Sequence, residues 1–228
     1  MIEFVFLDLD DTILDFHKSE EIALRDTLIA FEIEPTDAIV ARYSAINDAQ
    51  WKLLEQGALT RDEVKLRRFV LLFEEMGVKR DAEAVRVYYE NRIAKGHIFL
   101  KGAYEMLEAL YGNYRLFIVS NGTATVQKGR LASAGIGHFF EKIFLSEEVG
   151  CVKPEKLFFD RCFSDIQGFD PSCAIILGDS LTSDIQGGIN AGIKTCWFNP
   201  HKAPVRVDIQ PDFEVQTHVA FEDLLKQL

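Results

Sequence analysis

The sequence predicts an α/β fold in which a doubly wound parallel sheet carries an inserted helical domain. Short apolar runs rich in β-branched and aromatic residues recur along the chain, and segments of helix length separate most of them. Such alternation is typical of parallel sheets covered by helices on both faces. Acidic and other polar residues directly follow several of the runs. The predicted class is therefore Rossmann-like, with ligands expected at the carboxyl ends of the strands.

The strands and their covering helices follow from these runs. Apolar spacing typical of helices occurs in "TATVQKGRLASAG", "PEKLFFDRCFSDI" and "SDIQGGINAGI", and Gly192 is expected to end the last of these helices. The predicted strands are residues 2–7, 115–120, 142–145, 174–177 and 195–198.

A long helical segment interrupts the alternation after the first strand. Apolar residues recur with helical periodicity in "SEEIALRDTLIAF", "DAIVARYSAINDAQWKLLEQG", "TRDEVKLRRFVLLFEEMG" and "DAEAVRVYYENRIAKG". Because this insertion leaves the core directly after the first strand, we expect it to lie over the ligand-binding edge of the sheet. We predict an α/β core of residues 1–16 and 96–228 and a helical cap of residues 17–95.

Composition narrows the classes of partner. The chain has 228 residues, 48% of them hydrophobic, which is enough for a well-packed core. Its net charge of −11 argues against nucleic acid polymers and anionic membrane surfaces as partners. No apolar stretch approaches the roughly 20 residues that span a bilayer. The four cysteines show no C-x-x-C spacing, and a predicted strand begins at residue 2, where a leader would lie. Both observations favour a cytoplasmic protein. We expect it to be a monomer or a homodimer.

Three carboxylates, Asp8, Asp10 and Asp11, follow the first strand in "DLDDT". Residues i and i+2 of a strand point to the same side, so Asp8 and Asp10 are expected to face the crevice while Leu9 enters the core. At about 4 Å and an effective dielectric constant near 20, two such charges repel by on the order of 4 kcal/mol. They therefore require a cation, a proton or hydrogen-bond donors, unless the segment is simply an acidic turn.

A second acidic set argues against the simple turn. The run in "AIILGDSLTSDIQGG" ends in Asp179, with Asp184 five residues later, so two strands deliver carboxylates to one edge. Oxygen ligands that leave room for water and phosphate suit Mg²⁺ better than zinc. We expect Mg²⁺ to be bound by Asp8, Asp179 and a main-chain carbonyl near Asp10, with Asp184 a ligand or an orienting group.

Two further strand ends add groups suited to a phosphoryl group. Ser120 and Asn121 follow the strand in "LFIVSNG", and Lys153 stands before Pro154, which is expected to open a helix. A hydroxyl and an ammonium match the negative charge on phosphoryl oxygens. Lys153 taken alone also fits a solvated surface lysine, but its neighbours in the sequence favour the site.

These four motifs, "DLDDT", "VSNG", "VKPE" and "GDSLTSD", in this order, resemble those of the haloacid dehalogenase superfamily of phosphohydrolases. The helical insertion resembles the C1 cap of that family. The resemblance implies that Asp8 is the nucleophile, which forms an aspartyl-phosphate, and that Asp10 is the general acid and then the general base. Lys153 would hold the nucleophile and the phosphate together, and Mg²⁺ would neutralise the remaining charge.

The resemblance also assigns the phosphate-binding groups and the reaction. Thr12, Ser120 and main-chain N–H groups near Asn121 and Gly122 would hydrogen-bond the phosphoryl group. Family members that displace halide need neither the second aspartate nor a metal. This chain keeps Asp10 together with the second acidic set, so the resemblance implies hydrolysis of a small phosphate ester.

A narrower likeness concerns the substrate. The segments "INDAQWKLLEQGALT", "SEEVG" and "SDIQGGINAGIKTCWFN" are similar to cytoplasmic nucleotidases acting on pyrimidine nucleoside 5'-monophosphates. A nucleobase needs an aromatic face and an amide or guanidinium edge, so the candidates for specificity are Phe16, Asn47, Trp51 and Arg68. Trp51 also fits core packing, and Arg68 in "KLRRF" also fits a solvated charged face.

Three other functions stay open at this point. The same chemistry could act on phosphoglycolate or a sugar phosphate. A phosphomutase would pass the phosphoryl group to a second hydroxyl instead of water. A module that binds phosphate without catalysis would keep the scaffold alone.

Overall fold

The computed structural model describes residues 1–204 and 206–228, and its centre is a parallel sheet in the order β3-β2-β1-β4-β5-β6. The predicted α/β class is therefore confirmed. The strands are β1 (Phe4–Leu7), β2 (Arg115–Ser120), β3 (Lys142–Leu145), β4 (Ala174–Gly178), β5 (Lys194–Phe198) and β6 (Phe213–Val215). All five predicted strands form, with β1 starting two residues later than predicted. The short edge strand β6 was not predicted.

Helices cover both faces of the sheet, as its strands require. They are α5 (Ala103–Leu110), α6 (Ala124–Ala134), α7 (Ser146–Val149), α8 (Lys156–Ser164), α9 (Gln186–Ala191) and α10 (His218–Leu225), with a π-helical turn at Leu181–Ile185. The expectation that Pro154 opens a helix was wrong, because α8 begins two residues later with Glu155 as its N-cap.

The central strand β1 is apolar along its whole length because both of its faces are buried. All four residues of β1 are completely buried. Val5 packs with α5 and α10 on one face, whereas Phe6 packs with Phe158 and Phe159 of α8 on the other. A strand buried on both faces is typical of parallel sheets, so no polar alternation marks it.

Four helices form the predicted insertion. They are α1 (Phe16–Ala30), α2 (Asp37–Glu55), α3 (Arg61–Met76) and α4 (Ala82–Ile93). Each begins at an Asp or Thr whose side chain accepts a backbone N–H of the first turn, and Thr60 and Glu63 form a capping box at α3. Leu24, Tyr43 and Phe69 join a hydrophobic cluster of this unit. We call α1–α4 the cap; its exact boundaries stay a prediction.

The cap touches the core at the carboxyl ends of the strands. The guanidinium of Arg61 donates to the carbonyl of Asn121 and to Ser146 Oγ. Thr182 Oγ1 donates to Glu55 Oε2 at 2.9 Å. The cap therefore covers the edge of the sheet where ligands were expected. Among helices of the described residues, none combines the length and apolar character needed to cross a bilayer.

Candidate active site

A cavity of about 320 Å³ lies where the core and the cap meet. Three neighbouring strands supply its core side, because Asp8 follows β1, Ser120 ends β2 and Asp179 follows β4. The strand order β2-β1-β4 brings these ends together, although the residues are far apart in sequence. The polar groups of all four sequence motifs thus meet at one edge of the sheet.

Lys153 is the buried cation of the site. Its side chain is 1% exposed, so the solvated-surface interpretation was wrong. Nζ donates to Asp8 Oδ1 at 2.6 Å, to Asp184 Oδ1 at 2.6 Å and to the Val119 carbonyl at 2.7 Å. Burial opposes the ammonium charge, but Asp184 and Asp8 outweigh it and hold the pKa of Lys153 above its ordinary value.

Three carboxylates converge beside this lysine. Oxygen atoms of Asp8, Asp179 and Asp184 lie within 4.8 Å of one another. Burial raises the pKa of Asp8 to about 8, although the Lys153 ammonium acts in the opposite direction. Burial, followed by repulsion from Asp184 and Asp8, holds the pKa of Asp179 well above its ordinary value. One lysine does not balance three carboxylates, and a second positive charge is needed to keep them ionised.

The chemistry of these donors fits a divalent cation. All three groups offer hard oxygen ligands, and Mg²⁺ binds oxygen at about 2.0–2.1 Å, so opposite ligands stand about 4.2 Å apart. The carboxylate oxygens lie within 4.8 Å of one another, a limit only slightly above that span. The three carboxylates could therefore hold such an ion after small side-chain movements.

Local structure fixes two of these carboxylates. A Cβ at position 178 would lie 2.3 Å from Asp184 Cγ, so only glycine lets the Asp184 side chain cross the end of β4. The indole Nε1 of Trp197 donates to the main-chain carbonyl of Asp179 at 2.7 Å. Trp197 is 4% exposed and packs in the core, and it also holds the backbone that carries Asp179.

Asp10 faces the cavity as predicted, while Leu9 is buried in the core. The Asp10 carboxylate is bound by two side chains of helix α6. Oδ2 accepts from Gln127 Nε2 at 2.7 Å, and Oδ1 is paired with the guanidinium of Arg130. Gln127 and Arg130, which sequence reasoning missed, thus supply hydrogen-bond donors of the kind that two neighbouring carboxylates require. The main-chain carbonyl near Asp10 remains the predicted metal ligand.

Ser120, Asn121 and Gly122 all line the cavity, but their groups are not equally available. Ser120 Oγ accepts from Gln127 Nε2 at 2.8 Å and from the Gly122 N–H at 3.1 Å, which leaves its hydrogen to donate. The Asn121 side chain exchanges two hydrogen bonds of 2.9 Å with the main chain of Lys153. Asn121 therefore positions Lys153, a role that the sequence did not indicate.

Thr12 lies deeper than its predicted role suggests. It is fully buried, and its hydroxyl oxygen accepts the backbone N–H of Asp179 at 3.1 Å. The hydroxyl thus joins the first acidic motif to the second. Thr12 is not among the described residues that line the cavity, so its contact with a phosphoryl group stays a prediction.

The four candidates for specificity, Phe16, Asn47, Trp51 and Arg68, all line the cavity. Arg68 is only 4% exposed, so its interpretation as part of a solvated face was wrong. The half-buried Trp51 donates from Nε1 to Asn47 Oδ1 at 3.1 Å. Trp51 therefore combines packing with a position on the cavity wall.

A buried hydrogen-bond network connects these cap residues. Asn47 Oδ1 also accepts from Arg68 Nη1 at 3.0 Å, and Asn47 Nδ2 donates to Glu20 Oε1 at 2.9 Å. The Asn47 oxygen is therefore fully used inside the cap. Arg68 Nη2 lies 3.7 Å from Glu90 Oε1, a buried oxygen that has no hydrogen-bond partner among the residues that the structure describes. Arg68 and Glu90 thus keep a donor and an acceptor beside the cavity.

Comparison with known proteins agrees with this architecture. The chain is 36% identical to the pyrimidine 5'-nucleotidase PynA of Streptococcus pneumoniae (strain ATCC BAA-255 / R6) over 98% of this chain and 93% of that one. It is 31% identical to the pyrimidine 5'-nucleotidase YjjG of Escherichia coli (strain K12), over 98% and 97% of the two chains. The crystal structure of the HAD-hydrolase YfnB of Bacillus subtilis, bound to magnesium, superposes with a TM-score of 0.94 at 37% identity and 98% coverage of both chains.

The family model of haloacid dehalogenase-like hydrolases matches residues 5–198. This range contains the cap and every strand end that contributes to the cavity. The protein belongs to the haloacid dehalogenase-like hydrolases.

Proposed function

We propose that this protein is a Mg²⁺-dependent phosphomonoesterase, a 5'-nucleotidase that acts on pyrimidine nucleoside monophosphates through an aspartyl-phosphate at Asp8. The observation that carries the proposal is the contact of 2.6 Å between Asp8 and the buried ammonium of Lys153 at the wall of the cavity. A carboxylate beside a fixed cation, in a pocket partly closed to water, suits attack on a phosphoryl group. The nucleotidase relatives support the choice of substrate.

The substrate phosphoryl group would sit between Asp8, Ser120 and Lys153. The Ser120 hydroxyl donates to one phosphoryl oxygen, while Lys153 stays close to both the nucleophile and the phosphate. The Lys153 ammonium lowers the pKa of Asp8 against the effect of burial, and so favours the carboxylate that attack requires. When bound by Asp8, Asp179, Asp184 and the Asp10 carbonyl, Mg²⁺ would supply positive charge to the transferring phosphoryl group.

The reaction then has two steps. An oxygen of Asp8 forms a bond to phosphorus while the bond to the ester oxygen breaks, and Asp10 gives its proton to the departing alcohol. In the second step Asp10 takes a proton from water as the water oxygen bonds to phosphorus, and the bond between phosphorus and Asp8 breaks. The step releases phosphate and restores the Asp8 carboxylate.

The nucleobase would lie on the cap side of the cavity. The ring of Phe16 offers an aromatic face, and the Arg68 guanidinium offers N–H donors to a carbonyl oxygen of a pyrimidine. Asn47 and Trp51 would shape this wall and orient Arg68, since their hydrogen bonds are directed at each other and at the guanidinium.

Phosphate release from a substrate panel tests the proposal. The panel contains UMP, dUMP, dTMP, AMP, GMP, phosphoglycolate and hexose phosphates, each measured with Mg²⁺ and with EDTA. The proposal predicts release that needs Mg²⁺ and is concentrated on the pyrimidine nucleotides. Release concentrated on phosphoglycolate or sugar phosphates would contradict the substrate class, and isomerisation of a hexose phosphate without release would indicate a mutase.

A further inference from the structure

We propose that Arg130 is a positioning residue that holds Asp10 for proton transfer and ties it to the chain segments joining cap and core. The inference rests on the proposed role of Asp10 as general acid and base. It concerns a residue in helix α6 that lies 120 positions from Asp10. No sequence motif pointed to it.

The first observation is that donors occupy both carboxylate oxygens of Asp10. Arg130 Nη1 pairs with Oδ1, and Gln127 Nε2 donates to Oδ2 at 2.7 Å. Arg130 Nη1 also donates to Gln127 Oε1 at 3.2 Å, which closes a ring of three side chains. The Asp10 side chain is 27% exposed and faces the cavity, so this ring sets the direction from which it meets a leaving group.

The second observation is the complete burial of Arg130. Its side chain has no exposed surface, and Nη2 is buried without a hydrogen-bond partner among residues 1–204 and 206–228. A buried guanidinium with an unsatisfied donor is costly, and an apolar residue of similar volume is often as stabilising. Within the part of the chain that the structure describes, its one carboxylate partner is Asp10. The arrangement is therefore better explained by orientation of Asp10 than by stability.

The third observation links Arg130 to the segments that join cap and core. Its Nε donates to the carbonyl of Gly96 at 3.2 Å, just after α4, and its guanidinium lies 5.6 Å from the ring of Phe16, where α1 begins. A Cβ at position 129 would lie 2.7 Å from the Ala94 carbonyl, so Gly129 permits this close approach of α6. Arg130 thus contacts Asp10 and both connecting segments together.

This geometry predicts a defect that depends on the leaving group. A nucleoside is a poor leaving group and needs a proton from Asp10, whereas p-nitrophenolate departs without one. The value of kcat/KM includes only the steps up to departure of the leaving group, so later attack by water does not obscure the comparison. Loss of Arg130 should therefore lower kcat/KM for UMP more than kcat/KM for p-nitrophenyl phosphate.

The experiment measures both substrates with Mg²⁺ for the wild type, Arg130→Met, Asp10→Ala and the double variant. The measured quantity is kcat/KM for UMP divided by kcat/KM for p-nitrophenyl phosphate. We expect Arg130→Met to lower this ratio on the order of tenfold or more, because a misplaced acid loses much of its effect. In the Asp10→Ala background, Arg130→Met should change the ratio no further. An equal fall for both substrates, or the same extra fall in the Asp10→Ala background, would overturn the inference.

The matched control is Ser133→Ala. Ser133 lies on the same helix and donates to the Lys95 carbonyl at 3.0 Å, so it contacts the same connecting segment without touching Asp10. The ratio of kcat/KM values for Ser133→Ala should equal that of the wild type. A change as large as that of Arg130→Met would overturn the inference that Arg130 acts through Asp10. If Arg130→Met does not fold, Arg130→Gln carries the same test with the same two outcomes.

Failure of this inference is separable from failure of the proposed function. Asp8→Asn tests the function, and its inactivity on both substrates supports the aspartyl-phosphate route whatever the Arg130 variants show. An active Asp8→Asn would remove the function itself. If Asp8→Asn is inactive and folded Arg130→Met keeps the wild-type ratio of kcat/KM values, only the positioning role of Arg130 is refuted.

Discussion

Lys153 Nζ and Asp184 Oδ1 lie 2.6 Å apart, and each side chain is only 1% exposed. The two residues come from different sequence motifs, and the same ammonium also contacts Asp8. A buried cation between two carboxylates is valuable mainly because each partner would be costly alone. The same ammonium therefore stabilises the folded site and lies beside the proposed nucleophile.

Removing the ammonium should destabilise the protein. We expect Lys153→Met to lower the free energy of unfolding by about 3–5 kcal/mol in EDTA, because it leaves buried carboxylates without their partner. Urea unfolding measures the change. Lys156→Met is the matched control, since Lys156 is an exposed lysine paired with Asp160 at the surface. Equal stability of the two variants would contradict the structural role given to Lys153.

Binding of Mg²⁺ should be visible without any substrate. We expect Mg²⁺ to raise the melting temperature of the wild type, since an ion at 100 times its Kd stabilises a protein by about 2.7 kcal/mol. Asp179→Asn should reduce this rise, and Asp160→Asn, a change at the surface, should leave it intact. A full Mg²⁺ response in Asp179→Asn would place the ion elsewhere.

The buried carboxyl group of Glu20 should make stability depend on pH. Burial raises the pKa of Glu20 to about 7 from an ordinary 4.5, although hydrogen bonding from Ser44 opposes the shift. Between these values the folded protein keeps a proton that the unfolded chain has released. The stabilising contribution is therefore full below about pH 4.5 and is lost as the pH rises through about 7.

Glu20→Gln tests this expectation. The wild type should lose on the order of 3 kcal/mol of unfolding free energy from this group between about pH 4.5 and pH 8. The amide keeps hydrogen bonds to Asn47 and Ser44 without titrating, so the variant should lose less over the same range. Glu108→Gln, at an exposed position of α5, should behave like the wild type. Identical pH profiles for all three proteins would refute the assignment.

Arg68 should affect the nucleotide more than the phosphoryl group. We expect Arg68→Met to raise KM for UMP on the order of tenfold to a hundredfold, because a hydrogen bond from a charged donor contributes about 1.5–3 kcal/mol. The rate with p-nitrophenyl phosphate should change little, since that substrate has no base to contact. Arg67→Met serves as the control, because Arg67 is exposed on the same helix. A parallel loss on both substrates would show that Arg68 only supports the cap.

The strand ends were predictable because the sheet itself brings them together. Asp8, Ser120 and Asp179 follow three apolar runs, and parallel strands place such residues at one edge. Their positions needed only local patterns and the topology that the alternation implied. The edge strand β6 was missed because "FEV" is short and contains a charged residue.

The partners of these residues were not predictable in the same way. Gln127 and Arg130 reach Asp10 only because α6 packs beside the segment that returns from the cap. Arg68 was predicted to be a candidate for specificity, but a solvated face stayed open for it because "KLRRF" is rich in charge. Neighbours on a helix point about 100° apart, and Arg67 is exposed while Arg68 is buried. Such contacts depend on tertiary packing, which a local pattern does not contain.

Phosphate release from UMP by Asp8→Asn, compared with the wild type in Mg²⁺, tests the central claim most directly. The amide keeps the size of the side chain, so the variant should remain folded, and circular dichroism can verify this. The account predicts a loss of about 10⁴-fold or more in kcat, as expected for removal of a catalytic nucleophile. Activity within about tenfold of the wild type would contradict the aspartyl-phosphate mechanism.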